Sequence, residues 1–419
     1  MRDLRLHGFY ASAIVLALSL SLFSTSARAT SREQVIYAFS LGYSDCSDPI
    51  ASLIADESGN LYGTTLGGGA YGGGCIFNVS LNPDGSWSES VLYSFSGIDG
   101  KVPGNALVFD KVGNLYGMTR QGGLYDGGVA FELSPSPGGT WTETVLHSFG
   151  SAGDGDGPSA ELTFDDAGNL YGTTTGGGAH RGGIVFKLSP GPSGWTETIL
   201  HAFWGRIQGP GPAFPAGGVV IDSAGSLYGV TEFGGGNGGF GAAYQLVPKN
   251  GVYKERTIHS FDGYDGEEPS STLVMDSSGN LYRTTSFGGS GDYGTVFQLT
   301  KGKAGKWADN VLRSLNGNDG YLAVGPVVFD SAGNLYAAAE AGGFEGQGSV
   351  FRLTPQRGGT WRETVLHLFH YYDRHYRKGR DGQAPYAGVI VYGGQLFGTT
   401  SSGGIHDEGT VFSIRLAHP

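Results

Sequence analysis

The sequence predicts an all-β fold built by repeating one small sheet, and three observations lead there. The chain has 419 residues, beyond the roughly 250 to 300 at which a single core stops growing, so it needs several domains or a repeated unit. It carries 77 glycines, 12% aromatic residues and only 15% charged residues, which suits neither long helices nor a charged disordered tail. One short phrase also returns seven times. It reads Gly59-Asn60-Leu61-Tyr62-Gly63, Gly113-Asn114-Leu115-Tyr116-Gly117, Gly168-Asn169-Leu170-Tyr171-Gly172, Gly225-Ser226-Leu227-Tyr228-Gly229, Gly279-Asn280-Leu281-Tyr282, Gly333-Asn334-Leu335-Tyr336 and Gly394-Gln395-Leu396-Phe397-Gly398, with successive first glycines 54, 55, 57, 54, 54 and 61 residues apart. A period of this length marks a repeat architecture. The balance of 26 basic against 38 acidic residues, a net charge of −12, excludes nucleic acid or anionic lipid as the main partner, because neither would be attracted.

The first 29 residues are set aside as an export signal. Arg2 and Arg5 precede an apolar run at 13–23, and Ala27-Arg28-Ala29 supplies the small-residue cleavage pattern. The run is shorter than the roughly 20 residues of a membrane span. The expected product is a monomer without a transmembrane segment, secreted to the periplasm or cell exterior.

Within residues 30–419 each unit offers four strands, illustrated by the third. Residues 161–164 match segments such as Ala106-Leu107-Val108-Phe109, apolar on both faces as an inner strand buried on both sides should be. The turn Asp165-Asp166-Ala167-Gly168-Asn169 has Asp to open it and Gly for its left-handed position. It leads to a second strand at 170–174, a glycine-rich loop at 176–183 and a third strand at 184–188. Residues 195–203 form a fourth, placing Ile199, His201 and Phe203 on one side. Four antiparallel strands in such a unit, repeated seven times, predict a seven-bladed β-propeller. The chain ends agree: a lone fourth-strand segment, Val35-Ile36-Tyr37-Ala38-Phe39, precedes the first unit, and the last unit stops after its third strand at 410–415. The N-terminal strand is therefore expected to complete the last blade, removing an exposed sheet edge.

The Gly-Asn-Leu-Tyr-Gly-Thr-Thr phrase, the Gly-Gly loop, the Val-Phe-x-Leu strand and the Trp-x-Glu-Thr-Val-Leu-His-Ser-Phe strand together resemble the GloVer-type tandem repeat of exported bacterial proteins, over nearly all of the chain after the signal. The resemblance implies a propeller and an exported product, and it brings no catalytic residues. Members are described with a choice of C-terminal anchors. This chain ends at His418-Pro419 with no such segment, a departure from that pattern that leaves surface attachment open.

In such blades, the loop between strands two and three and the loop entering from the previous blade open at one end, where function is expected. Cys46 and Cys75 fall on that face of the first blade; a disulfide is the expected state in an oxidising compartment, ahead of free thiols or zinc. The entering loops share an aspartate, at Asp45, Asp99, Asp154, Asp265, Asp319 and Asp381, with Gly211 in the fourth blade. A carboxylate ring for calcium or a cationic ligand is one reading; ordinary Asp-Gly turn chemistry is the favoured one. No other cofactor is expected. His147, His201, His259 and His367 share one fourth-strand position, and Trp87, Trp141, Trp195, Trp307 and Trp361 another; both series read as packing between blades. Gly289-Ser290-Gly291-Asp292-Tyr293-Gly294 spells a dinucleotide fingerprint but joins two strands, so it has no helix N-terminus for a phosphate.

Differences between copies point to the ligand. From the terminal Phe to the Pro is 8 residues in the second blade, 12 in the fourth (Phe203 to Pro215) and 16 in the seventh (Phe369 to Pro385). The seventh carries Tyr371, Tyr372, Arg374, His375, Tyr376, Arg377, Lys378 and Arg380 on an acidic protein, a composition typical of recognition surfaces. Loop tips Tyr71, Tyr125, His180, Arg181, Phe344 and His406 are expected around the same mouth. The first reading is thus an exported, non-catalytic propeller that recognises a glycan or a surface or matrix protein through loops on one face. The second is a propeller-type lactonase or polysaccharide lyase, and a third a purely structural extracellular repeat protein. Unlike polar side chains gathered at the axis would favour an enzyme; a bare channel would favour binding through the long loops.

Overall fold

The computed structural model describes residues 33–40, 42, 45–158, 160–370 and 381–416. The expected export signal at 1–29 and the basic aromatic segment Tyr371, Tyr372, Arg374, His375, Tyr376, Arg377, Lys378 and Arg380 lie outside the described residues. Among these, one 3-10 turn at Lys303–Gly305 is the only helical element, and seven antiparallel sheets share one plan.

The second blade shows the plan. Val108–Phe109, Leu115–Thr119, Val129–Pro135 and Trp141–Ser148 pair in chain order from inside outward. The hairpin between the first two is fixed by its aspartate. Asp110 Oδ1 accepts the backbone N–H of Val112 and Asn114, both at 2.9 Å, while Oδ2 accepts the Asn114 amide at 2.8 Å and the Tyr116 hydroxyl at 3.3 Å. Asp56, Asp165, Asp276 and Asp330 make the same set. The phrase Asp-x-x-Gly-Asn-Leu-Tyr is thus a turn whose polar groups satisfy one another, with Gly at positive φ (95° at Gly113). The second-strand glycine has a different cause. A Cβ on Gly172 would stand 2.5 Å from the Phe186 ring of the third strand, and one on Gly117 2.6 Å from Phe131. The aromatic core closes over bare backbone.

The inner strands are shorter than the apolar runs suggest. Only Thr163–Phe164 of 161–164 pairs as a strand. The residues just before it, Ala160 and Glu161, line a cavity at the axis instead. The first strand therefore has a ladder partner on one side only.

Seven apolar clusters join the blades, one per interface. Ile76, Phe95, Leu107 and Phe131 bind the first to the second, and the series runs around to Phe39, Phe397 and Val411 of the seventh, which meet Leu53 and Phe77 of the first. Burial of this kind contributes roughly 25 cal/mol per Å² of apolar surface. Tryptophans beginning the fourth strand reach across: Trp195 sits edge-on to Tyr116, Trp307 to Tyr228 and Trp87 to Phe397. The expected closure is present. Glu33–Ala38 pairs antiparallel with Thr410–Arg415, Val35 opposite Phe412, so the seventh blade has four strands and its edge is covered.

Candidate functional site

Cys46 and Cys75 form a disulfide with Cα atoms 6.0 Å apart, fully buried beside Phe77. It ties the loop entering the first blade to that blade's third strand, and closing a segment of this length stabilises by about 3 to 4 kcal/mol in the chain-entropy picture. No helix among the described residues is long and apolar enough to cross a membrane.

The six loop aspartates are engaged with the fourth strand that precedes them. Asp45 accepts the Tyr37 hydroxyl at 3.1 Å and Asp99 that of Tyr93 at 2.6 Å. Asp154, Asp265 and Asp381 meet His147, His259 and His367 at 3.0, 2.8 and 3.0 Å, and Asp319 pairs with Arg313. Each of Asp45, Asp99, Asp154, Asp265 and Asp319 also accepts a backbone N–H of its own turn. Two series that the sequence presents separately, the aspartates and the fourth-strand His, Tyr and Arg, are thus one structure. A third member comes from the fourth strand of the next blade. Glu197 lies by His147 and Asp154, Asp309 by His259 and Asp265, and Glu363 pairs with Arg313. Between the sixth and seventh blades Glu33 of the closing strand fills this role beside Asp381.

Burial, and then the neighbouring aspartate, pushes Glu33, Glu89 and Glu363 up to about 8 and Glu143 and Glu197 to about 7. Each leaves one carboxyl oxygen buried without a hydrogen-bond partner. His147, Asp154 and Glu197, like His259, Asp265 and Asp309, hold ligand atoms within 4.8 Å of one another, as do His367, His370 and Asp381. The donor types could hold a divalent ion. At the equivalent place between the fifth and sixth blades the cation is already covalent: Arg313 bridges Asp319 and Glu363. The constellation clasps neighbouring blades together, with Arg313 as a fixed cation in one copy.

A different arrangement sits at the axis. A cavity of about 300 Å³ is lined by all seven blades, from the short segments ahead of the inner strands and from the ends of second strands. The residue after Leu-Tyr-x-x-x on the second strand differs in most copies: Leu66, Arg120, Thr175, Glu232, Ser286, Glu340 and Ser401. Of these, Arg120, Thr175 and Glu232 line the cavity, together with Asn105, Glu161 and Tyr386. Arg120 is exposed and Tyr386 39% exposed, and neither side chain makes a hydrogen bond or ion pair among the described residues. Burial raises the Glu232 carboxyl, with Arg120 opposing, and burial alone raises Glu340. Burial also raises the Tyr386 hydroxyl, reinforced by Glu340. Below them lies Arg283, fully buried where five other blades have glycine. Its guanidinium donates to the carbonyls of Val324 and Gly325, two cavity-lining residues, while Nε has no partner. Burial lowers it to about 9, still charged at neutral pH.

The channel is therefore not bare, and the unlike polar side chains at the axis were not among the residues singled out from sequence. The signal lay in the repeat itself: at one position of a near-constant phrase, charge appears in three copies. Of the loop tips, Tyr71 and Tyr125 are 69% and 53% exposed, and neither lines the axial cavity. His180 stacks on Trp204 with ring centres 3.7 Å apart and planes 9° apart. Phe344 is 91% exposed. These tips belong to the first, second, third and sixth blades.

Among solved structures the chain is similar to a candidate 6-phosphogluconolactonase from Bacteroides uniformis, with 15% identity, a TM-score of 0.53, and coverage of 81% of this chain and 88% of that one. It is also similar to a candidate gluconolactonase (14% identity, TM-score 0.42, 81% and 95% covered) and to a protein of unknown function from Dyadobacter fermentans (12%, 0.42, 91% and 98%). At these identities the first likeness speaks to the fold alone. No curated protein matches the chain. The family model of the Gloeobacter/Verrucomicrobia repeat matches residues 21–238 and again 214–419, overlapping spans that take in all seven blades. The chain belongs to the Gloeobacter/Verrucomicrobia repeat family.

Proposed function

We propose that this propeller is an exported binding protein that takes a small, hydroxyl-rich ligand, such as the end of a glycan, in the axial mouth. One observation carries the reading: Arg120, Glu232 and Tyr386 converge on the cavity from different blades at positions that the repeat leaves free to vary. A frame that is otherwise near-constant has no packing reason to place an unpaired guanidinium and a carboxyl there. A volume of about 300 Å³ suits a mono- or disaccharide. Asn105, Thr175, Ser270 and Ser271 add neutral donors and acceptors around it.

The test is a glycan array followed by calorimetry on the hits. Arg120→Ala should weaken binding at least tenfold at an unchanged melting temperature, whereas deletion of 371–380 should leave it intact. Binding that survives Arg120→Ala but is lost with 371–380 would move the site to the seventh loop and overturn the proposal.

A second reading, turnover of a sugar acid or lactone, is favoured by the raised carboxyl of Glu232 near Arg120. A carboxyl raised above its ordinary value and an adjacent guanidinium are the kinds of group that donate a proton and steady an oxyanion. Product formation from aldonolactones, lost in Glu232→Gln with binding retained, would select that reading.

A further inference from the structure

The fourth blade breaks the clasp pattern, and what replaces it carries a second site. Where six entering loops have aspartate, this one has Gly211 in a longer loop. The histidine it leaves behind, His201, makes no hydrogen bond among the described residues. Just after the fourth strand's phenylalanine, the other blades carry Ser40, Ser96, Gly150, Asp262, Asn316 and His370; here the residue is Trp204. It is the one tryptophan that is largely uncovered, 60% exposed, while the five that begin fourth strands are half-buried between blades.

The indole is held ready. Its ring stacks on His180 at 3.7 Å, which covers one face and fixes the plane. The loop behind it is tied down by backbone bonds from Gly205 to His180, Gly209 to Arg206, Gly234 to Ile207 and Gly236 to Gly209, at 2.9 to 3.1 Å. Trp204, Arg206, Pro210 and the flanking glycines line a pocket of about 310 Å³. Arg181 pairs with Trp204 in the strand ladder. The side chains of Arg181 and Arg206 make no ion pair or hydrogen bond among the described residues. Two unpaired guanidiniums and a bare aromatic ring thus gather where the repeat has removed an acid, on a chain of net charge −12.

We propose that Trp204, flanked by Arg206 and Arg181, is a docking platform for one residue of an acidic oligosaccharide. The ligand's chemistry follows from the groups present. A pyranose has an apolar C–H face that packs on an open indole, and a uronate carboxylate or a sulfate is the anion a guanidinium binds in two-pronged fashion. Charge selects this occupant over a neutral sugar, because a guanidinium gains most from a planar anion that takes both of its prongs. The platform stands independently of the axial mouth, which does not include Trp204 or Arg206.

The experiment follows the tryptophan fluorescence of the full chain on titration with trigalacturonate, with a sulfated trisaccharide as the second anionic probe. A neutral trisaccharide and a glutamate peptide of matched charge serve as comparisons. Saturable quenching by either anionic sugar is expected, tenfold weaker in Trp204→Ala, several-fold weaker in Arg206→Ala, weakened by salt, and unchanged in Arg120→Ala. Preference for the carboxylate or the sulfate sugar then names the source of the anion. Equal affinity for the neutral sugar, equal competition by the glutamate peptide, no quenching by either anionic sugar, or quenching unaltered in Trp204→Ala would each overturn the proposal. Should Trp204→Ala unfold, Trp204→Phe keeps the ring and should retain most of the affinity, read by calorimetry; loss of affinity in a folded Trp204→Phe comparable to that of Arg206→Ala would count against a stacking role.

Discussion

Replacing Glu33 by glutamine tests the ring closure and the clasp together. Glu33 lies on the closing strand, and burial, with Asp381 adding to it, raises its carboxyl from 4.5 to about 8. One of its oxygens is buried without a partner. The folded chain holds this proton up to about pH 8, whereas the unfolded chain releases it near 4.5. The interaction is therefore complete below 4.5 and lost as pH rises through 8. At 1.36 kcal/mol per pH unit the rise bounds the effect near ~5 kcal/mol. The strand is partly reached by solvent, which brings the expected figure to about 2 kcal/mol. Glutamine keeps the neutral shape at every pH. Thermal unfolding followed by circular dichroism should give equal melting temperatures at pH 4.5, and at pH 8.5 Glu33→Gln should melt about 2 to 3 °C higher than the unaltered chain. The same difference at both pH values, or a less stable variant at pH 8.5, would refute the reasoning, since neither fits a carboxyl that is protonated because the closing strand buries it.

Three further outcomes follow from the frame. Gly172→Ala drives a Cβ to 2.5 Å from the Phe186 ring and 3.0 Å from Leu162, and should cost about 1 to 3 kcal/mol in denaturant unfolding. Replacing Cys46 and Cys75 together by serine should cost about 3 kcal/mol, and dithiothreitol should lower the melting temperature of the unaltered chain but not that of the variant. Arg283→Met keeps much of the volume but strands the Val324 carbonyl and leaves that of Gly325 with the Thr284 hydroxyl alone, at about 2 kcal/mol; hydrogen exchange should quicken in this segment of the sixth blade before the rest.

The frame was open to sequence reading because its rules are local. An aspartate that bonds its own turn, a glycine under an aromatic ring and an alternating outer strand each repeat within one unit, and seven copies leave little room for another fold. Closure was legible for the same reason, since Val35-Ile36-Tyr37-Ala38-Phe39 is a fourth strand without a blade. The clasp was legible only in pieces. His147, Asp154 and Glu197 stand in a strand, the following loop and the next blade's strand, so each series looks self-contained until the blades are set side by side. The series of substitutes His, Tyr and Arg is explained by the pairing: all three can donate to the aspartate, and only one of them brings a fixed charge.

The axial mouth escaped for a different reason. Comparing copies by loop length picks out residues 371–380, whereas Arg120, Glu232 and Glu340 occupy a slot inside the phrase whose neighbours hardly change. A second-strand end is an ordinary surface position in an isolated sheet. In the ring, three of these seven positions border the axial cavity, so unlike side chains there give the molecule an asymmetric centre. Arg283 follows the same logic one step deeper. In an isolated blade it would replace a glycine that the aromatic core needs bare, but in the ring its guanidinium crosses to Val324 and Gly325 of the neighbouring blade and fixes the wall of the mouth. In a closed repeat, then, the informative comparison is position by position among the blades, and departures count most where the side chain points at the axis or across an interface.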